Sequence, residues 1–84
     1  MAYIYRTKGT CSSEIEIELD GNIIKKVQFY GGCHGNLQGI SKIVEGMTVE
    51  QVYEKFAGIR CGFKRTSCPD QLAQAVMEAY NAQQ

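Results

Sequence analysis

Four cysteines in a chain of 84 residues are the part of this sequence with the clearest chemistry. They are Cys11, Cys33, Cys61 and Cys68, and no two of them form a Cys-x-x-Cys pair. In a secreted protein four cysteines would indicate two disulfides, whereas in a reducing compartment clustered thiols more often bind metal. Three kinds of metal site are possible. Zinc could be bound by all four cysteines or by three cysteines and His34, or the cysteines could bind an iron–sulfur cluster. Alternatively, the thiols stay reduced and pack as small hydrophobic side chains.

Other catalytic constellations are absent from the sequence. There is one histidine, and no phosphate-binding loop, dinucleotide fingerprint or Ser-His-Asp order occurs. General acid–base catalysis therefore has few candidate residues. We assign no catalytic residue, and we leave open whether the chain has any enzymatic activity of its own.

The composition limits the class of protein. Hydrophobic residues make up 44% and charged residues 21%, which is typical of a folded globular domain. Nine Lys and Arg balance nine Asp and Glu, so the basic excess of a nucleic-acid-binding protein is missing. No apolar run approaches the ~20 residues of a membrane span, and the N-terminus lacks the layout of a signal peptide. We expect a cytoplasmic protein with neither nucleic acid nor membrane as partner.

The length predicts one small domain over residues 1–84. A chain of this size buries only about 60–65% of the surface of its unfolded state, so its own core is thin. A homodimer or a bound metal ion would supply additional stability.

Three strands are predicted in the first part of the chain. Residues 2–6 are short and aromatic-rich, and residues 11–19 alternate between apolar and acidic side chains, which is typical of a half-buried antiparallel strand. The alternation places Ser13 on the apolar face with the isoleucines, and Ser12 on the wet face with the glutamates. Turn residues follow at 20–22, and residues 23–30 form the third strand.

We predict a three-residue loop between the second and third strands. It pairs Leu19 with Ile23 and Ile15 with Val27, and places Gly21 or Asn22 in the left-handed region. The same register sets Glu16 opposite Lys26 on the wet face. It also sets Cys11 opposite Gly31 and brings Cys33 about one diagonal step away.

Three helices are predicted after the strands. The first begins after Cys33 and ends at Gly46, the second opens with a Thr48–Gln51 capping box and ends at Gly58, and the third has Ser67 as its N-cap. Their apolar stripes are Leu37, Ile40, Ile43 and Val44; Val49, Val52, Tyr53 and Phe56; and Leu72, Ala75, Val76, Ala79 and Tyr80. The predicted fold is α+β, a three-stranded antiparallel sheet with three helices packed on one face.

This arrangement brings the thiols toward one end of the sheet. Cys11 begins one strand, Cys33 follows the adjacent strand and precedes a helix, Cys61 lies in a basic loop, and Cys68 opens the last helix. A helix N-terminus favours a thiolate over a thiol. Cations in the loop would offset the negative charge of a metal–thiolate centre: Arg60, Lys64 and Arg65.

The pentapeptide at residues 66–70 spells TSCPD, and the chain resembles the TSCPD domain family. Further similarity lies at Thr10-Cys11-Ser12, Gly31-Gly32-Cys33, Gly35-Asn36-Leu37, Gly39-Ile40 and Cys61-Gly62, and the resemblance spans residues 5–79. The family domain also occurs near the C-terminus of adenosylcobalamin-dependent ribonucleotide reductases. The resemblance therefore implies an accessory or regulatory module related to ribonucleoside-diphosphate reductase and DNA precursor synthesis, with the reductase or another protein as partner.

A weaker resemblance is to NifU-type iron–sulfur scaffold proteins, whose fold this one would share. Cys11, Cys33 and Cys68 fall where three cluster-binding cysteines of the scaffolds would fall. The sequence departs from them because Ser12 and Ser13 follow the first cysteine, and because a fourth thiol is present. The predicted function is a metal-binding module; the alternatives are an iron–sulfur assembly scaffold and an interaction domain with structural cysteines.

Overall fold

The computed structural model describes residues 2–7, 12–32, 34–60, 62–63 and 66–83. Its strands are β1 (Ala2–Arg6), β2 (Ser12–Asp20) and β3 (Ile23–Gly31), and its helices are α1 (His34–Val44), α2 (Val49–Phe56) and α3 (Cys68–Ala82). The strands form one antiparallel sheet in the order β1-β2-β3. The α+β prediction of a three-stranded sheet with three helices is confirmed.

The core lies between one face of the sheet and the helices. Ile15 and Ile17 of β2 and Ile24 and Val27 of β3 are at most 4% exposed. The period of two turns the β2 pair to the same side. Ile24 and Val27 share that side because β3 carries one extra residue between them. The helices cover them with small and branched apolar residues: Val44, Val49, Val52, Leu72, Ala75, Val76 and Ala79.

The predicted loop between β2 and β3 was one residue too long. Asp20 pairs with Ile23, so Gly21 and Asn22 alone make the turn, and Gly21 has a φ of 62°. An irregularity follows directly, since Leu19 pairs with Ile24 but its neighbour Glu18 pairs with Lys26. This bulge leaves one extra residue in β3.

The shorter loop and the bulge each shift the register by one residue, so beyond the bulge it differs by two residues from the prediction. The expected pairs of Ile15 with Val27 and of Glu16 with Lys26 were therefore wrong. From Lys26 onward a shift of two keeps the side chains of β3 on their predicted faces. Before the bulge the faces are exchanged, since Ile24 is 1% exposed whereas Ile23, which was predicted on the apolar face, is 38% exposed. The observed pairs are Glu18 with Lys26, Ile17 with Val27, Glu16 with Gln28, and Ile15 with Phe29.

A second irregularity, at the start of β2, changes which serine faces the helices. It lies between Ser12 and Glu14, and it makes Ser12 the partner of Gly31 where Cys11 had been predicted. Ser12 is only 4% exposed while Ser13 is exposed, the reverse of the prediction. An inserted residue inverts the strand alternation, and a sequence pattern does not reveal it.

The predicted helix boundaries are confirmed by their capping contacts. The Thr48 side chain accepts from the Gln51 backbone amide at 3.0 Å, and the Gln51 side chain accepts from the Thr48 amide at 2.9 Å. Ser67 caps α3. Gly46 and Gly58 each have a φ of 87°, a conformation that ends a helix readily only at glycine.

Two residues assigned to apolar stripes are exposed instead. Ile43 of α1 is 70% exposed and Tyr53 of α2 is 41% exposed. In α1 the buried position is taken by Ser41, whose hydroxyl donates to the Leu37 carbonyl at 2.8 Å. Because that internal bond satisfies the hydroxyl, a polar residue can replace an apolar one on the buried side.

None of the helices in the described ranges is both long and apolar enough to cross a membrane.

Candidate functional site

Cys68 is the candidate thiol that the structure describes. It is the first residue of α3, it is partly exposed, and it is free of any disulfide. Its Sγ lies 3.4 Å from the Oγ of Ser12, close enough for a hydrogen bond in which either group donates. This contact joins the first turn of α3 to the start of β2.

Three elements meet around that contact. Ser12 pairs with Gly31, the last residue of β3, while its hydroxyl faces Cys68. Thr7, just after β1, donates its amide to the Ser13 carbonyl at 3.1 Å and its hydroxyl to the Ser12 carbonyl. We call this region, formed by Ser12, Gly31 and the first turn of α3, the cysteine end of the sheet.

The N-cap of α3 holds the preceding loop against the cysteine end. The Ser67 hydroxyl accepts from the Asp70 backbone amide at 3.1 Å and donates to the Ile59 carbonyl at 2.6 Å. One buried hydroxyl thus fixes both the helix start and the segment after α2. The helix axis and the loop cannot move independently while these bonds persist.

Asp70 makes a second anchor one turn into α3. Its carboxylate accepts from the Gly58 backbone amide at 2.7 Å and from the Thr66 hydroxyl, and Thr66 also accepts from the Gln71 side chain at 3.0 Å. Burial alone would raise the pKa of Asp70, but the hydrogen bonds from Thr66, Gly58 and Gln74 outweigh it, so the pKa lies below its ordinary value. The carboxylate is therefore built into the fold in its charged form.

Four residues of the TSCPD pentapeptide have structural roles in the loop and the helix start, and the fifth contacts the sheet. Thr66, Ser67 and Asp70 hold the loop, and Pro69 lies in the first turn, where a missing amide proton is tolerated. Cys68 is directed to β2. The cap at Ser67 was predicted; the anchoring carboxylate was not, although an acidic residue three positions after the cap is a signal for a helix N-terminus.

The remaining predicted site residues are distributed as follows. Cys11, Cys33 and Cys61 lie outside the described residues, as do Lys64 and Arg65 of the basic loop. His34 is the first residue of α1, and Arg60 is exposed. Within the described ranges no three His, Cys, Asp or Glu side chains form a group that could hold a metal ion.

The chain was compared with models of known protein families. A family model described as the TSCPD domain matches residues 3–80.

The chain belongs to the TSCPD domain family.

The match extends from β1 into the last part of α3, so the TSCPD domain includes the whole sheet and the cysteine end. Comparisons of the chain with curated proteins and with solved structures gave no match. The resemblance of this TSCPD domain to NifU-type scaffolds stays a prediction.

Proposed function

We propose that this TSCPD domain is a small metal-binding module in which Cys11, Cys33, Cys61 and Cys68 hold zinc or an iron–sulfur cluster. The observation that carries the proposal is the 3.4 Å contact between Cys68 Sγ and Ser12 Oγ. It brings the one described thiol next to the residue that follows Cys11 in the chain.

Chain connectivity extends the argument to the sheet side of the site. Consecutive Cα atoms are about 3.8 Å apart, so Cys11 is one such step from Ser12. Cys33 is two residues beyond Gly31, the strand partner of Ser12. Two residues span at most about 7 Å, so Cys33 is within reach of the same region.

The loop between α2 and α3 supports Cys61 as the fourth ligand. The Ile59 carbonyl accepts from Ser67, the neighbour of Cys68. Cys61 is two residues beyond Ile59, again within about 7 Å of a residue fixed at the cysteine end. Thiolates bind zinc at about 2.3 Å, so a shared centre requires the four sulfurs to lie within about 4 Å of one another.

The described surroundings fit a metal–thiolate centre. Four soft thiolate donors select zinc or iron–sulfur clusters over magnesium or calcium. The buried Ser12 hydroxyl can donate to the Cys68 sulfur, the kind of outer contact that orients a metal ligand. Four protein ligands leave no open coordination position, so we propose a structural or regulatory role, not catalysis by this chain alone. His34 is the alternative fourth donor.

Metal content tests the proposal. Untagged protein is purified without chelator, bound zinc and iron are quantified, and free thiols are titrated before and after chelation. We expect stoichiometric metal and thiols that react only after the metal is removed. Metal-free protein that folds identically with and without chelator would contradict the proposal.

Cysteine variants separate a closed four-cysteine site from a transient scaffold. In a four-cysteine site Cys61→Ser and Cys68→Ser both reduce bound metal. In an iron–sulfur scaffold Cys33→Ala abolishes cluster transfer to an apo-acceptor, while Cys61→Ala leaves it intact. The four Cys→Ser changes could each cost only the folding free energy of an ordinary core substitution and leave bound metal unchanged. That result would favour the interaction domain with structural cysteines.

Membership of the TSCPD family supports a proposal about the partner. We propose that the module serves a ribonucleotide reductase, and that it works in the cytoplasm, where thiols stay reduced. Sedimentation of the domain with the reductase of the same cell tests this, with metal-loaded and metal-free domain compared. We expect complex formation that depends on metal; no complex in either form would exclude the reductase as partner.

A further inference from the structure

Among the residues that the structure describes, the outer edge of β3 is unpaired along most of its length. Near the turn it is covered, since Ile24 donates to the Met47 carbonyl and accepts from the Gly46 amide, both at 2.8 Å. Beyond Ile24, no described residue outside the sheet forms a backbone hydrogen bond with β3. Unpaired peptide groups on an edge strand are a template for another strand.

A groove of about 480 Å³ runs beside this open edge, between β3 and α1. Val27, Phe29 and Leu37 give it apolar walls, and Gly31 lies toward the cysteine end. A volume of this size is in the range of natural ligand sites. The groove can therefore take side chains of a segment that pairs with β3.

Two glycines of α1 keep the groove wide. Gly35 and Gly39 are four residues apart, so they share one face of the helix, and both line the groove. A Cβ atom at either position would meet nothing within 4 Å, so neither glycine is needed for packing in this fold. Glycine within a helix is destabilising relative to alanine. A bound segment that approaches the backbone of α1 closely would account for the presence of both glycines.

The charges around the groove indicate an acidic occupant. β3 carries Lys25 and Lys26 and no carboxylate, and Lys42 lies on the opposite wall. Two carboxylates lie near these three lysines: Glu18 is the strand partner of Lys26, and Glu45, the residue after α1, also lines the groove. Pairing of β3 with the β3 of a second copy would bring more lysines and no carboxylate from that strand.

We propose that an extended, acidic segment of a partner protein adds as a fourth strand to β3, with alternate apolar side chains in the groove. This mode uses backbone hydrogen bonds for affinity and side-chain pockets for specificity. The groove meets the cysteine end at Gly31, but the proposal uses no cysteine and stands whether or not metal is bound.

Peptide binding to the full chain tests it. Two fluorescent peptides are titrated, one alternating valine with glutamate and one alternating valine with lysine, and binding is mapped by amide chemical shifts. We expect the acidic peptide to bind at least about tenfold more tightly, with shifts concentrated between Val27 and Gly31. Equal affinity of the two peptides, no binding, or shifts elsewhere would overturn the proposal.

Variants locate the site independently. Gly39→Leu adds a side chain on the groove wall, where its Cβ would meet nothing within 4 Å, and leucine favours the helix over glycine. We expect acidic-peptide binding to weaken at least about tenfold while Tm does not fall. Lys42→Glu should weaken binding several-fold, whereas Lys55→Glu on α2, outside the groove lining, is the matched charge control and should not. Unchanged binding by Gly39→Leu would overturn the proposal, as would a dimer that Gly39→Leu abolishes, since the occupant would then be a second copy.

Discussion

The two ends of the sheet are held by different kinds of contact. At the hairpin end, where β2 turns into β3, three backbone hydrogen bonds are formed beside exposed side-chain contacts such as that of Asn22 with Glu50. Ile24 bonds to Met47 and Gly46, and the Val49 amide donates to the Asn22 carbonyl at 2.8 Å. Such bonds depend on backbone conformation and little on side-chain identity. We therefore expect the hairpin end to tolerate most substitutions that keep the backbone conformation.

At the cysteine end, side chains make the contacts instead. A thiol meets a hydroxyl, a cap hydroxyl donates to a carbonyl, and a carboxylate accepts from a backbone amide. These pairs are Cys68 with Ser12, Ser67 with Ile59, and Asp70 with Gly58. Each contact requires a particular residue, so the position of the thiol depends on a few side chains around it.

The largest difference between the two ends is expected at their carboxylates. Asp70→Ala removes a buried acceptor and leaves the Gly58 amide and the Thr66 hydroxyl without it, which should cost about 2–3 kcal/mol. Glu50→Ala at the hairpin end removes an exposed contact to Asn22 and should cost less than about 0.5 kcal/mol. Urea unfolding measures both. Similar decreases in the free energy of unfolding for the two variants would show that the two ends do not differ.

The helix caps provide a second matched pair. Ser67→Ala breaks two hydrogen bonds at a buried position and should cost about 1–2 kcal/mol. Thr48→Ala, at the cap of α2, breaks an exposed bond to the Gln51 amide and should cost about 0.5–1 kcal/mol. A larger decrease in Tm for Thr48→Ala than for Ser67→Ala would contradict the comparison.

Glycines test the dependence of the hairpin end on backbone conformation. Gly46→Ala forces a side chain into a φ of 87° and should destabilise by about 1 kcal/mol. Gly39→Ala, in a helical conformation with open space around it, should stabilise by about 0.5–1 kcal/mol. A change of the same sign in both denaturation midpoints would refute this account of the two glycines.

At the cysteine end, the smallest effect on folding is expected at Ser12. In metal-free protein Ser12→Ala should cost about 0.5–1 kcal/mol, because the Cys68 thiol is a weak partner. If the thiol binds metal, the same change should lower metal affinity by about tenfold or more. Ser13→Ala is the control, since that exposed hydroxyl bonds to the Tyr30 carbonyl at 3.1 Å. Equal metal affinities of the two variants, by competition with a chelator, would exclude a role for Ser12 near the metal.

The sequence predicts the elements of this fold well because their signals are local. The alternation in β2, the capping box at Thr48 and the cap at Ser67 each act within a few residues. The two irregularities of β2 and β3 are not local, since each depends on how two strands fit over one core. They moved the partner of Gly31 from Cys11 to Ser12 and buried the Ser12 hydroxyl.

The candidate site was predictable in part for the same reason. The position of Cys68 in the first turn of α3 follows from the cap before it, and is confirmed. The anchor formed by Asp70 and Gly58 joins residues from two helix ends, so only tertiary packing brings them together. The roles of Cys11, Cys33 and Cys61 stay predictions.

The central claim is that four thiols share one metal centre at the cysteine end. A crystal grown from protein expressed with zinc and iron, with anomalous diffraction collected at both absorption edges, tests it most directly. The account predicts one anomalous centre about 2.3 Å from the sulfur atoms of Cys68 and the other three cysteines. Sulfur atoms of Cys11, Cys33 and Cys68 pointing to different sides of the molecule, with no anomalous peak between them, would contradict it.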